Sequence, residues 1–376
     1  MMIPILAAEA FCVATTAIHV ASTLVAMVRC KSPAAPMRAP ADAPAVSLVR
    51  PVCGIENHIE ATLASAFRLD YPRYEIVFCV ALAHDPVVPT VRRLMAAHPE
   101  VPARLLIGNE KISDNPKLNN IYKGWRDTAR DWIVLADSNV FMPPDYIQRL
   151  LAAWRPDTGL VCSPPVGCRP DGFWAELECA FLNTYQARFQ YTADTLGLGF
   201  AQGKSMLWRR ALLEPEGGIR ALASELAEDA AATKVVRRAG LRVRLVDAPF
   251  EQPLGRRSAA EVWRRQVRWA RLRRTSFKAC FMPEILAGGL WPLLAAIFAV
   301  AHSDLPLAGV PTLAAVWYGC EAALAWAAGW HLTARSPLAW ALRDLLLPAI
   351  WLNGWLGSAF VWRGNRMRAI ESRGTV

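Results

Sequence analysis

At 376 residues, 54% of them hydrophobic with 15 tryptophans and only 20% charged, the chain is too apolar and aromatic for an intrinsically disordered protein. A mean hydropathy of +0.20 argues against a purely soluble globule, and the length allows two to three units of about 150 residues each. With 42 basic against 32 acidic side chains the net charge is +10, which favours anionic partners: phosphorylated ligands, a cytoplasmic membrane surface or nucleic acid.

Residues 1–28 are apolar apart from Glu9, Thr15, Thr16, His19, Ser22 and Thr23, and are long enough to cross a hydrocarbon core of about 30 Å. Arg29, Lys31 and Arg38 follow at once, so the positive-inside rule places the next segment in the cytoplasm. No basic segment precedes the apolar run, which argues for an uncleaved anchor over a signal peptide. Residues 29–45 hold four prolines and no hydrophobic period, and read as an Ala/Pro-rich extended tether.

From residue 46 to 255 strand-like runs (Val46–Arg50, Glu75–Val80, Arg104–Ile107, Trp132–Ala136, Leu160–Cys162) alternate with helical patterns near 58–67, 87–98, 117–129 and 144–153. That alternation predicts an α/β domain with a mainly parallel sheet. Residues 256–283 form a basic interfacial region: nine basic side chains between Arg256 and Lys278 face one acid, Glu261, and Trp263, Trp269 and Phe277 are interleaved. The segment leads straight into apolar sequence, so a membrane surface explains it better than nucleic acid. Residues 284–376 contain apolar stretches at 285–301, 306–330 and 338–362 and a basic tail. At least two of the three are expected to span the membrane, and a cytoplasmic tail requires that one of them lie at the interface or re-enter. The nine cysteines are scattered, without a Cys-x-x-C pair, and read as small hydrophobes in a reducing compartment.

Three acidic positions fall where open α/β sheets place their ligands, at or just beyond strand ends. Asp85 follows a buried strand in Val80-Ala81-Leu82-Ala83-His84-Asp85-Pro86, and Asp137 leaves another in Leu135-Ala136-Asp137-Ser138-Asn139. A carboxylate there suits a divalent cation that neutralises a diphosphate. Glu228-Asp229 offers a general base. Each acid alone is commonplace, and it is their order with Arg265-Gln266-Val267-Arg268-Trp269 downstream that carries weight. Two arginines three apart share a helical face suited to a diphosphate, beside an indole that can stack on a sugar or a lipid head. Gly197–Lys204 lacks the spacing of a phosphate loop, and His84 lacks a nucleophile partner.

This series resembles the D, D, D, (Q/R)xxRW pattern of family 2-like and family 21 glycosyltransferases. The stretches Leu69–Glu75, His84-Asp85-Pro86, Asn115-Pro116-Lys117-Leu118-Asn119-Asn120 and Ala227-Glu228-Asp229 are similar to the ceramide glucosyltransferase family in particular. The likeness covers about residues 46–280 and implies a GT-A-type nucleotide-sugar domain flanked by N- and C-terminal transmembrane helices. It implies that Asp85 and Asp137 serve a UDP-sugar donor, with Asp137 nearest a divalent metal, Mg2+ or Mn2+. Asp229 is then the base, Arg265 and Arg268 balance the diphosphate, Trp269 closes the acceptor side, and Lys117, Asn119 and Glu228 line the substrate pocket.

The implied reaction is inverting transfer of glucose or N-acetylglucosamine to a lipid hydroxyl. This chain departs from the animal enzymes in the acid-poor stretch Ala81-Leu82-Ala83-His84 and in Gln186-Ala187-Arg188, where they carry a histidine. The acceptor is accordingly ceramide or another sphingolipid, or a hopanoid polyol as in a bacterial branch; the Ala- and Arg-rich composition suggests a bacterial source, and with the apolar segments the expected location is that of a multi-pass protein of a bacterial inner membrane with a cytoplasmic catalytic domain. The rival readings are a processive polysaccharide synthase, for which the apolar segments are few, and a non-catalytic membrane scaffold.

Overall fold

The computed structural model describes residues 2–31, 33, 35–362 and 365–368. They fall into two compact units, one within Ser32–Cys168 and Ala193–Gly255, the other within Met1–Lys31, Arg169–Thr192 and Arg256–Glu371.

The first unit is mixed α/β around a mostly parallel sheet. Strands β1 (Val46–Pro51), β2 (Tyr74–Val80), β3 (Ala103–Ile107), β4 (Trp132–Ala136), β5 (Thr158–Cys162), β6 (Val166–Asp171), β7 (Ser205–Arg209), β8 (Arg242–Leu245) and β9 (Glu251–Arg256) follow in chain order. Seven of them form one sheet in the order β3-β2-β1-β4-β7-β5-β8, and β6 pairs with β9 in a separate ribbon. β1 runs parallel to β2 and β4, and β2 to β3. β7 is antiparallel to both β4 and β5, a strand that the sequence reading did not anticipate. The central strands are rich in β-branched and aromatic residues, β1 buried throughout and β2 and β4 buried beyond their first residues, as a sheet covered on both faces requires.

The helices Ile59–Ser65, Val88–Ala97, Pro116–Asp127 and Tyr146–Ala152 match the four predicted ones. The third packs directly on the sheet: a Cβ at Gly124 would lie 2.6 Å from Val49 and 2.7 Å from Cys79. Chain order runs outward from β1 in one direction through β2 and β3, while β4 lies on its other side. The β1/β4 boundary is therefore the switch point, beyond whose carboxyl ends ligands bind in such sheets. The expected tether is docked on this unit: Met37 N donates to Asp145 Oδ2 at 3.0 Å and Tyr71 Oη to Pro44 O at 2.6 Å.

The second unit is helical. It contains Met2–Arg29, the helical run over residues 173–192, the basic helix Ala259–Ser276, and the helices Leu290–His302, Gly309–Ala328 and Ser336–Trp355. The segment Arg169–Thr192, expected inside the 46–255 domain, groups here because Leu177, Phe181 and Tyr185 pack with Val262, Phe281 and Ile350. Among the described residues one helix, Met2–Arg29, is long and apolar enough to cross a membrane; Lys278–Leu286 with Leu290–His302, bent by 40°, qualifies only as a pair. The other two predicted spans fall short of that test. Gly309–Ala328 holds Glu321, while Ser336–Trp355 holds Arg343, Asp344 and Pro348. The basic tail at 362–368 falls partly outside the described residues.

Candidate active site

At the switch point the chain places Arg50 at the end of β1 and Asp137 just after β4. Arg50 is fully buried and donates to the carbonyls of Asp137, Ser138 and Val140 at 3.0, 3.1 and 3.3 Å, and to Thr62 O at 2.8 Å. It thereby fixes the turn that presents the Asp137 carboxylate. That carboxylate holds two ammoniums, Lys117 Nζ on Oδ1 at 2.6 Å and Lys204 Nζ on Oδ2 at 2.9 Å. Burial by itself would raise its proton affinity, but the two lysines overrule burial and hold Asp137 well below the usual carboxylate range. Lys204 also donates to Asn139 Oδ1 at 3.0 Å.

Lys117 belongs to the helix Pro116–Asp127 and reaches further, to Glu228 Oε1 at 2.5 Å and Gly203 O at 2.7 Å. Burial disfavours its charge, yet Asp137 and Glu228 together push its proton affinity above the ordinary value. Glu228 and Asp229 open the helix Glu228–Arg238, where the free N–H groups and helix dipole favour negative charge. Asp229 accepts from Gly203 N at 3.1 Å and Ala230 N at 2.8 Å. Burial, and then the neighbouring Glu228, push it up to about 6 against the opposing pull of Lys117 and the two amides. A general base with that affinity is poised near neutral pH. Gly203 is a glycine for want of room: a Cβ there would lie 2.8 Å from Glu228 Oε1 and 3.1 Å from Lys117 Nζ.

A carboxylate set between two lysines beside a second carboxylate of raised proton affinity on a helix N-terminus, at the switch point of an α/β sheet, suits transfer of a group from a phosphorylated donor. The family model described as "Glycosyl transferase family 21" matches residues 14–375. The chain belongs to glycosyltransferase family 21. This glycosyltransferase is 26% identical over 332 residues to Ceramide glucosyltransferase 3 of Caenorhabditis elegans, covering 86% of this chain and 72% of that one. It is 25% identical over 417 residues to the ceramide glucosyltransferase of Komagataella phaffii, covering 86% and 82%. In fold it is similar to a mannosyltransferase from Pyrobaculum calidifontis solved with GDP-mannose and Mn2+: TM-score 0.50, 19% identity, 93% of this chain and 98% of that one. The α/β unit thus has the GT-A-type architecture expected from the sequence.

In this family 21 glycosyltransferase, Asp137, Lys117, Glu228 and Asp229 come together as one cluster. Asp85 and Asn119 are tied to backbone instead. Asp85 accepts from Gly54 N at 2.9 and 3.1 Å and from Val87 N at 2.9 Å, joining the loops after β1 and β2. Asn119 Oδ1 accepts from Ile112 N and Ser113 N, each at 2.9 Å, and shapes the loop ahead of its own helix. Arg265, Arg268 and Trp269 lie in the helical unit on the basic helix. Arg265 is paired there with Glu178, a fully buried carboxylate that Arg257 also approaches at 3.2 Å.

Asp137 is the residue expected to stand nearest a divalent metal. Among the described residues no three acidic, histidine or cysteine side chains converge, and both Asp137 oxygens already carry ammoniums. A divalent ion does not fit this donor set as it stands. The sequence reading also passed over Lys204, Asn139, Asn115, Arg50 and Glu178. Lys204 stood in a glycine-bearing segment set aside for lacking phosphate-loop spacing, and its signal was the lysine itself.

Proposed function

We propose that this enzyme moves a sugar, glucose or N-acetylglucosamine, from a UDP donor to the hydroxyl of a membrane lipid, ceramide or another sphingolipid or a hopanoid polyol, with inversion. The observation that carries the reading is Asp229. It is a carboxylate with its proton affinity raised to about 6, on a helix N-terminus, one residue from the Glu228–Lys117–Asp137 chain of charges. Asp229 takes the proton from the acceptor hydroxyl as that oxygen bonds to the anomeric carbon. The bond from that carbon to the diphosphate oxygen breaks on the opposite face, its electron pair leaves with UDP, and the configuration inverts.

The negative charge on the departing diphosphate is met by the Lys204 ammonium at the switch point. Arg265 and Arg268 are assigned to the same charge, and Trp269 to the acceptor, by the family pattern. The helix Met2–Arg29 anchors the enzyme in a bacterial inner membrane, and the basic helix Ala259–Ser276 rests on the anionic cytoplasmic surface. The ceramide glucosyltransferase relatives support a lipid acceptor.

The test is UDP release by membranes containing the protein, with UDP-glucose and UDP-N-acetylglucosamine crossed against ceramide and a hopanoid polyol. The Asp229→Asn variant is the blank. Release with one pair, absent from the blank, names donor and acceptor together. Equal release by the blank sinks the base assignment, and silence with every pair and with lipid extracts sinks lipid glycosylation.

A further inference from the structure

Glu228 and Asp229 stand side by side on the first turn of one helix, yet the structure treats them differently. Both Glu228 oxygens are held from a single short stretch of another helix: Oε1 by the Lys117 ammonium at 2.5 Å and Oε2 by Asn115 Nδ2 at 2.7 Å. The same Asn115 amide donates to Leu226 O at 3.1 Å. Its Oδ1 caps the helix Pro116–Asp127, accepting from Lys117 N at 2.9 Å and Leu118 N at 3.3 Å. Asp229 accepts from the Gly203 and Ala230 amides. Each carboxylate offers about four lone-pair positions, so two amides leave Asp229 able to receive a further hydroxyl.

We propose that Asn115 and Lys117 are positioning residues that clamp Glu228 as a strut to the strand-end carboxylate Asp137, leaving Asp229 as the member of the adjacent pair that takes the acceptor's proton. The inference rests on the reading of Asp229 as general base. It explains why two neighbouring acids do different work: Glu228 is buried and bridged through an ammonium to Asp137, whereas Asp229 is partly exposed and held only by two backbone amides. It also gives Lys117 a role other than lining a donor pocket, since its ammonium already bridges Asp137, Glu228 and Gly203 O.

The charged and titratable groups facing Asp229 are Glu228 from its own helix, Lys117 from the helix Pro116–Asp127 and the Cys162 thiol at the end of β5. Burial pushes that thiol well up, so it stays neutral. Glu228 and Lys117 therefore act on Asp229 with opposite sign. Removing the Lys117 charge makes Asp229 harder to ionise, and removing the Glu228 charge makes it easier.

The experiment is the pH profile of kcat/KM for the full-length enzyme in membranes, with Lys117→Met, Glu228→Gln, Asn115→Ser and Asp229→Asn. Calorimetric UDP binding reports that each variant is folded. The acid limb is expected to move up by about one pH unit in Lys117→Met and down by about as much in Glu228→Gln. Asn115→Ser keeps a capping oxygen but frees Glu228 Oε2, and should lower kcat about tenfold with donor KM little changed. Limbs that stay put or move in the same direction overturn the clamp. If Lys117→Met does not fold, wild-type kcat in Asn115→Ser overturns it instead. Turnover by Asp229→Asn overturns the base reading itself, whereas an inactive Asp229→Asn with unmoved limbs overturns the clamp alone.

Discussion

The Gly203 amide donates to Asp229 Oδ2 at 3.1 Å, across 26 residues of chain, and so aims the carboxylate from the loop that leads into β7. The same glycine leaves space that three charged groups share, with Glu228 Oε1 2.8 Å, Lys117 Nζ 3.1 Å and Asp229 Oδ2 3.4 Å from where a Cβ would stand. Those groups are pinned by one another and cannot yield without moving the base. Gly203→Ala is expected to lower kcat by about 100-fold, the scale of a misplacement near 1 Å, with a small change in thermal midpoint. Wild-type kcat in that variant removes Gly203 from the site.

Asp229 also sets a pH dependence of both rate and stability. Its raised value means that kcat/KM climbs with pH through about 6 and levels above it. For stability the sign is the reverse. The folded state binds the Asp229 proton more tightly than the unfolded chain does, so the contribution is neutral below about 4 and increasingly unfavourable up to about 6, then constant. Asp229→Asn should therefore raise stability at pH 7.5, by about 1–2 kcal/mol after allowance for partial exposure, while stopping turnover. The check is thermal unfolding of both proteins at pH 4 and 7.5, where the gap should open only at the higher pH.

The parallel half of the sheet was legible because its strands are apolar runs bounded by turns, and Asp137 stood out as a carboxylate just beyond one of them, at the end of the strands where such sheets bind ligands. Asp137, Lys117, Glu228 and Asp229 were legible through the family resemblance, since no local rule brings residues 117, 137 and 229 together. β7 was missed because Ser205–Arg209, five residues between a glycine-bearing loop and a short helix, has no period long enough to read. Arg50, at the end of an apolar strand, gave no sign that it would turn inward to four carbonyls. The C-terminal helices are harder to read: Gly309–Ala328 and Ser336–Trp355 carry Glu321, Arg343 and Asp344 of a buried ionic network inside apolar sequence, which lowers their mean hydropathy.

The Asp137 and Lys204 pair should separate binding from chemistry. Asp137→Ala leaves Lys117 and Lys204 without their common carboxylate and is expected to abolish turnover and weaken UDP binding. Lys204→Met removes the cation proposed to meet the departing diphosphate while the Lys117–Asp137 pair remains. It should raise the Kd for UDP about tenfold, a loss of about 1.4 kcal/mol. Calorimetry with UDP, run with Mn2+ and with a chelator, measures both effects; unchanged UDP affinity in Lys204→Met removes that lysine from the nucleotide site.

In the helical unit Arg343 is fully buried and holds Glu321 at 2.7 and 2.8 Å and Asp344 at 2.7 and 2.9 Å, with Thr184 donating to Glu321 at 2.6 Å. Removing one partner strands the other charge, so Arg343→Met and Glu321→Gln should each cost about 3–5 kcal/mol. Arg343→Met combined with Glu321→Gln removes both charges of that pair and should recover part of that loss, with Asp344 keeping the Gly289 amide. A thermal-stability cycle in detergent decides the matter, and additive losses would show that the two residues act independently.

Glu178 anchors two basic residues of the 256–283 segment, and it does so from full burial. Its side chain is 1% exposed, Arg257 Nε lies 3.2 Å away and Arg265 closes on the other oxygen. Without the carboxylate both guanidiniums lose their counter-charge and Arg265 loses the partner that orients it. Glu178→Gln retains shape and one acceptor but not the charge. It is therefore expected to lower kcat by about 10- to 100-fold, and Glu178→Ala should destabilise the helical unit by about 3 kcal/mol. Comparing Glu178→Gln with Arg265→Lys distinguishes the roles: if Arg265 acts through a geometry that Glu178 imposes, the two losses in kcat will not add in the double variant. Additive losses would mean that Glu178 holds the helices together and has no part in aiming Arg265.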